Sequence, residues 1–171
     1  MSVSYRDARS EDAAELADFS RDTFVETFGH LYPTPDLQTY LAAKYAQEIQ
    51  RREIEDPATH YRLAFEGALL VGYCKSGDLS LPVEDDPHGA LELHRLYVAS
   101  SVKGAGVAKA LMDEALDWAR QKGAAAIYLS VWESNKRAQN FYRRYGFAHV
   151  GEHGFMVGSV RDRDFIWRLS L

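Results

Sequence analysis

The stretch Lys103-Gly104-Ala105-Gly106-Val107-Ala108 has the makings of an anion cradle. Glycines permit a tight turn and let backbone N–H groups come close to a ligand. A helix that opens there adds unpaired N–H donors and the positive end of its dipole. The natural guest is a pyrophosphate, with Lys103 or Lys109 adding charge. A P-loop is excluded because GxxxxGK[ST] is absent. The dinucleotide fingerprint fails because Lys109 stands where its third small residue belongs. Taken alone, the segment also fits a glycine-containing turn with no ligand. No metal is expected: there is no HExxH motif and no cysteine cluster. His149 and His153 are four apart, roughly 13 Å along a strand, too far to share an ion. Cys74 stands in an apolar run and reads as core.

A second stretch narrows the ligand. Residues Leu129 to Phe147 fit L-x-V-x-x-x-N-x-x-A-x-x-F-Y-x-x-x-G-F, with Asn135, Ala138, Phe141, Tyr142 and Gly146 at the fixed positions. This resembles the GNAT superfamily of N-acetyltransferases. Leu96-Tyr97-Val98 followed by the glycine-rich turn is similar to that family's acetyl-CoA motif, and the two motifs stand in the family's order and spacing. The resemblance implies acetyl-CoA as co-substrate. Leu96, Tyr97 and Val98 would pair through their backbone with the pantetheine arm. Lys103, Gly104, Ala105, Gly106, Val107 and Ala108 would hold the pyrophosphate, Lys103 replacing the family's usual Gln or Arg. Asn135 would hydrogen-bond the cofactor arm, and Tyr142 would sit near the thioester sulfur.

Acetyl transfer to an amine asks for such groups on chemical grounds. An alkylamine has a pKa near ~10 and arrives protonated at neutral pH. A base, directly or through water, must remove that proton. A backbone donor such as the Val98 N–H would suit the oxyanion. Tyr142 is the candidate acid for the leaving thiolate. Glu92 and His94 are the candidate bases; two apart on a strand, they should face the same side as Leu96. The basic residues Lys136, Arg137, Arg143 and Arg144 read mainly as a solvated helix face, with a terminal phosphate of the cofactor as the alternative.

The elements that must position these groups follow from periodicity. Val3 to Ala8 reads as a strand, and Ser10 as the cap of a helix reaching Phe28. Thr34-Pro35 reads as an N-cap and first turn, opening one helix with Leu37, Tyr40, Leu41, Tyr45 and Ile49 on a face. It should end before Asp56-Pro57. His60 to Glu66 and Leu69 to Lys75 flank Gly67-Ala68 as a hairpin. Leu81 to Gly89, with Pro82, Pro87 and three consecutive acids, reads as a surface loop, and Leu91 to Val98 as a strand. Val107, Ala108, Leu111, Met112, Ala115, Leu116 and Ala119 form a helical stripe that ends before Gly123. A strand Ala126 to Trp132, a short helix Asn135 to Tyr145 and two closing strands follow. The fold class is α/β (α+β): a mixed, mostly antiparallel sheet of about seven strands with about four helices. The two parallel strands around Leu96 and Val131 should splay to admit the cofactor arm.

The 171 residues fit one domain, residues 1–171. With 46% hydrophobic and 26% charged residues, the chain is neither disordered nor coiled-coil. No apolar run is long enough for a membrane helix, no signal peptide stands at the start, and a lone cysteine fits a cytoplasmic location. A net charge of −5 argues against nucleic acid and suits a small-molecule amine acceptor. The resemblance implies that the first helices, which vary most in that superfamily, shape the acceptor site through Glu26, Phe28, His30 and Tyr32. The stretch Gly151-Glu152-His153, with Phe155, Gly158, Asp164 and Phe165, is similar to bacterial polyamine acetyltransferases. A polyamine is therefore the preferred acceptor; a protein N-terminus or lysine, and acetyl-CoA binding without turnover, are the alternatives. Many relatives dimerise, so the resemblance also suggests a homodimer.

Overall fold

The computed structural model describes residues 2–86 and 88–171; Pro87, assigned above to the acidic loop, lies outside them. The strands are β1 (Val3–Asp7), β2 (His60–Glu66), β3 (Leu69–Asp78), β4 (Ala90–Val98), β5 (Ala126–Trp132), β6 (Ala148–Val157) and β7 (Val160–Ser170). They form one sheet in the order β1-β2-β3-β4-β5-β7-β6, antiparallel throughout except for β4 and β5. The helices are α1 (Ala13–Phe28), α2 (Thr34–Tyr45), α3 (Gln47–Glu55), α4 (Val107–Gln121) and α5 (Lys136–Arg144). The expected stripe of α4 packs on one face of the sheet, where Leu111, Met112, Ala115 and Ala119 meet Cys74, Leu93, Ile127 and Leu129. α5 joins it through Phe141, Tyr142 and Tyr145. On the other face, Leu16 of α1 packs with Leu63, Phe65, Leu70 and Tyr73.

Three boundary expectations are corrected. Ser10 does not cap α1; its hydroxyl bonds Glu55 (2.8 Å), and a 3₁₀ turn precedes the helix. The Asp12 carboxylate closes that turn, accepting from the Arg9 N–H (2.7 Å) and from the Arg6 guanidinium (2.7 and 2.8 Å). Thr34 is the first helical residue of α2 rather than its cap, because Pro33 fixes the entry with φ −58°. The helix expected to run past Ile49 is two helices, broken at Ala46, whose backbone is extended (φ −63°, ψ 146°).

Neither Gly nor Pro marks that break; the reason lies in tertiary contacts. Fully buried Gln50 donates from Nε2 to the Lys44 carbonyl (2.9 Å) and accepts from the Tyr61 hydroxyl (3.3 Å). The Arg21 guanidinium donates to the Tyr45 carbonyl (3.3 Å). Carbonyls left open at the end of α2 are thus satisfied by side chains. Gln50→Ala should therefore cost about 2–3 kcal/mol, from an unpaired buried carbonyl and a small cavity. Urea unfolding of the two proteins checks this value.

Candidate active site

The feature that makes the site is a divergence within the sheet. β4 and β5 pair in parallel over only three residues each, Ala90 to Glu92 against Ala126 to Tyr128. Beyond that point β4 stays with β3 as far as Val98, and β5 stays with β7 as far as Trp132. The β4 edge from Leu93 to Val98 therefore faces a wedge instead of a strand. The wedge opens into a cleft of about 910 Å³, lined by both strands and by α1, α4 and α5.

At one end lies the glycine-rich turn. Gly104 and Gly106 both hold left-handed backbone, with φ +86° and +83°. Gly106 is the residue that starts α4, and the first intrahelical bond runs from the Ala110 N–H to the Gly106 carbonyl. The N–H groups of Val107, Ala108 and Lys109 thus precede the helical ladder and are available to an anion. Lys103, Gly104, Gly106, Val107 and Ala108 line the cleft, as do Arg137 and Arg144. Ala105 is exposed in the turn and does not line it. Lys136 and Arg143 are engaged elsewhere, on the Glu133 carbonyl (2.9 Å) and on Asn140 (2.9 Å). This arrangement suits the phosphates of a CoA thioester.

Asn135 and Tyr142 also line the cleft. The Asn135 carbonyl oxygen caps α5, accepting from the Ala138 N–H (3.2 Å), which leaves its amide N–H groups free to donate. Gln139, overlooked in the sequence, is almost fully buried and ties α5 to the end of β5, bonding the carbonyls of Trp132 (3.2 Å) and Glu133 (2.8 Å). Tyr142 is held edge-on by Phe141 and Phe147, with ring centroids 5.5 and 5.9 Å away. Burial pushes its phenol up to about 12.

Glu92 and His94 share a side of β4, as expected, but it is not the side of Leu96. A β-bulge at His94 places two β4 residues, Leu93 and Arg95, opposite the adjacent pair Ser76 and Lys75, with His94 unpaired between them. Leu93 and Leu96 therefore both face α4, whereas Glu92, Arg95 and Tyr97 face the N-terminal helices. Glu92 does not share a face with Leu96, because the bulge resets the alternation. Glu92 is buried. Its Oε2 accepts from the Ser80 N–H (2.7 Å) and hydroxyl (2.8 Å), and its Oε1 lies 3.3 Å from His94 Nδ1. Burial alone would raise this carboxyl; the bonds from His94 and Ser80 outweigh it and hold the group below its usual value. Lys75 (3.1 Å) and Arg95 (3.5 Å) share a single carboxylate, Glu53.

Of the acceptor-site candidates, Glu26, Phe28 and Tyr32 line the cleft. Phe28 meets Trp132 edge-on at 6.2 Å, and the Tyr32 hydroxyl donates to Asp162. His30 is exposed and lies away from the cleft. A second bulge, at Val150, separates the paired residues His149 and Gly151, which oppose the adjacent Trp167 and Ile166. His149 consequently packs on Phe165 and Trp167, while His153 turns to the opposite face and lines the cleft. Four-residue spacing on a regular strand would put both histidines on one face; the bulge separates them.

Cys74 does not line the cleft. Its thiol is fully buried, points at the Leu111 carbonyl (3.6 Å) and is pushed up to about 12 by burial. It offers no thiolate for a covalent acyl intermediate. Among the described residues no group of three or more His, Cys, Asp or Glu side chains is placed to hold a metal ion. No helix there is long and apolar enough to cross a membrane.

The profile of the Acetyltransferase (GNAT) family matches residues 16–147. The chain belongs to the GNAT family of acetyl-CoA-dependent N-acetyltransferases. It is 31% identical over 162 residues to an uncharacterized N-acetyltransferase in the pepI 3' region of Lactobacillus delbrueckii subsp. lactis, covering 94% of this chain and 93% of that one. It is 24% identical over 170 residues to the spermidine N(1)-acetyltransferase of Thermoplasma acidophilum, covering 97% and 96% of the two chains. The fold matches the PaiA N-acetyltransferase of Thermoplasma acidophilum, solved with coenzyme A, at a TM-score of 0.81, 23% identity and full coverage of both chains.

Proposed function

We propose that this GNAT enzyme moves an acetyl group from acetyl-CoA directly to a primary amine of a small polyamine-like acceptor, with both substrates bound at once. The observation that carries the reading is the wedge between β4 and β5. It opens onto a basic glycine turn at one end and, at the other, onto a chamber where Glu26, Glu92, Asp162 and Asp164 stand with Lys44, Lys75 and Arg95.

In this reading the β4 edge at Leu96, Tyr97 and Val98 pairs with the pantetheine arm as an added strand would. The turn from Lys103 to Ala108 and the first N–H groups of α4 hold the pyrophosphate. The Asn135 amide donates to the cofactor arm. Tyr142 donates toward the thioester sulfur. Glu92, with both oxygens occupied by donors and its charge stabilised, acts as an anchor for the incoming ammonium group rather than as its base. His94 holds Glu92 in that role. Glu26, Asp162 and Asp164 also line the acceptor end and favour a cation with more than one charge. The full-length relative named for spermidine points the same way. Burial of the single cysteine removes a cysteine acyl-enzyme and supports direct transfer.

Thiol release from acetyl-CoA, measured with spermidine in one assay and a mixed peptide pool in another, tests this reading. A spermidine-dependent rate is expected. Release with peptides alone would move the enzyme to protein acetylation. No release with either, despite acetyl-CoA binding, would point to a binding module without turnover.

A further inference from the structure

Glu92 and His94 both line the cleft, but Glu92 is a poor proton acceptor and His94 is engaged on either side: its Nδ1 lies 3.3 Å from Glu92. The Nε2 edge of His94 lies over β3, close enough that a Cβ on Gly77 would stand 3.4 Å from it. That is the side of β4 away from β5. The proton that leaves the acceptor amine therefore needs another destination.

The other lip of the cleft carries a hydrogen-bonded relay, of which the reading above uses only Asp164, for its charge. Ser130 of β5, His153 of β6 and Asp164 of β7 meet on the sheet face that looks toward α1, and all three line the cleft. The Ser130 hydroxyl donates to Asp164 Oδ2 (2.9 Å) and lies 2.8 Å from His153 Nε2. A hydroxyl has one proton. Since it goes to the carboxylate, Ser130 must accept from His153, and Nε2 carries the hydrogen. The neutral ring then presents Nδ1 as an unprotonated lone pair. The serine stands between the acid and the imidazole, so it is not a nucleophile activated by histidine. The chain of donors instead runs from the ring through the hydroxyl to a buried carboxylate, which fixes the tautomer of the ring.

We propose that His153 is the base that takes the proton from the acceptor ammonium, with Ser130 and Asp164 fixing its tautomer. The assignment rests on the N-acetyltransfer reading above. The ammonium N–H bond breaks and its proton passes to His153 Nδ1. The freed nitrogen lone pair forms the C–N bond to the thioester carbonyl. The C–S bond then breaks, and its electron pair leaves on sulfur. A second proton, shed by the nitrogen as it becomes an amide, converts the thiolate to thiol, and His153 returns its proton to solvent. One proton is released per turnover. The charged and titratable groups around the ring are Asp164 and Asp162 on β7, Tyr32 bonded to Asp162, Tyr40 of α2 packed on Phe155, and Glu133 beyond β5. Glu152 and Arg163 pair with each other beside it and are exposed.

Two measurements on the full chain decide this. The first is long-range ¹H–¹⁵N NMR of the histidine rings, which needs no substrate. His153 should appear as the Nε2–H tautomer, and Ser130→Ala should disturb it; an Nδ1–H ring in the wild type overturns the proposal. The second is thiol release with spermidine, and with n-butylamine as a singly charged amine, between pH 7 and 10. His153→Gln retains an N–H donor for Ser130, and its thermal midpoint should match the wild type. It should lose about 100-fold in kcat at pH 7. The loss should shrink to a few-fold near pH ~10, where the amine deprotonates by itself. Ser130→Ala should show a smaller loss with the same pH trend. A loss independent of pH would mean a structural role, and activity within about three-fold of wild type at pH 7 would exclude His153 as the base. Wild-type protein that releases no thiol with either amine contradicts the acceptor reading itself, and the base assignment falls with it.

Discussion

Tyr142→Phe should lower kcat by about 100-fold while leaving acetyl-CoA affinity and the thermal midpoint nearly unchanged. The ring is held by Phe141 and Phe147, and phenylalanine keeps that packing. The hydroxyl has no protein hydrogen-bond partner among the described residues, so its removal strands no donor or acceptor. What is lost is a donor at the cleft, and one donor to charge that develops in the transition state is worth ~10²–10³ in rate. Magnitudes also decide how the phenol acts. Burial holds it at about 12, whereas a thiol titrates near ~8.5. Full transfer to the thiolate would run uphill by about 5 kcal/mol. Tyr142 is therefore expected to stabilise charge growing on sulfur by a hydrogen bond and to keep its proton. This gives a second expectation for the same variant. Its pH–rate profile should be lower but unchanged in shape. A shifted alkaline limb would mean that the tyrosine itself titrates during turnover. Steady-state kinetics across the pH range, with calorimetry for acetyl-CoA binding, checks both points.

Gly106→Val should raise the KM for acetyl-CoA by at least about 10-fold. At φ +83° the backbone is open to glycine and strained for any side chain, most of all a β-branched one. A Cβ there would touch nothing within 4 Å, so the cost is conformational and not steric crowding. The chain can relieve about 1–2 kcal/mol of strain by rotating toward negative φ. That rotation turns the first N–H groups of α4 away from the phosphates. Gly123 supplies the control. It follows α4 at the opposite end, also at positive φ (+78°) and with nothing near a Cβ. Gly123→Val should carry similar strain and leave the KM for acetyl-CoA within about two-fold. Equal effects of the two substitutions on KM would mean that the turn has no part in binding the cofactor.

Much of the fold was legible because local signals and tertiary demands agree. Gly67-Ala68 forms its hairpin, the α4 stripe is buried as its spacing requires, and Gly146 follows α5 at φ +93°. The cofactor end of the cleft was legible for the same reason: glycines with obligatory positive φ and a helix start lie next to each other in sequence. The break at Ala46 was not legible, because the groups that stabilise it, Gln50 and Arg21, act through space on carbonyls the sequence does not mark. The acceptor end was misread where strands bulge. One unpaired residue at His94 and another at Val150 reverse which side chains face the cleft; nothing in the sequence marks the first, and only Gly151 stands beside the second. Thus Leu96 and Glu92 part company, and His153 enters the cleft while His149 leaves it. The groups furthest apart in sequence, Ser130, His153 and Asp164, meet only because β7 lies between β5 and β6.

The central claim is that the wedge between β4 and β5, with the turn at its mouth, is where acetyl-CoA binds. Backbone hydrogen exchange followed on addition of acetyl-CoA tests it without reference to any acceptor. Slowed exchange at Leu96 to Val98 and at Gly104 to Lys109, with the outer strands β1 and β2 unaffected, is the expected result. Binding that protects neither segment would place the cofactor elsewhere on the molecule and contradict the account.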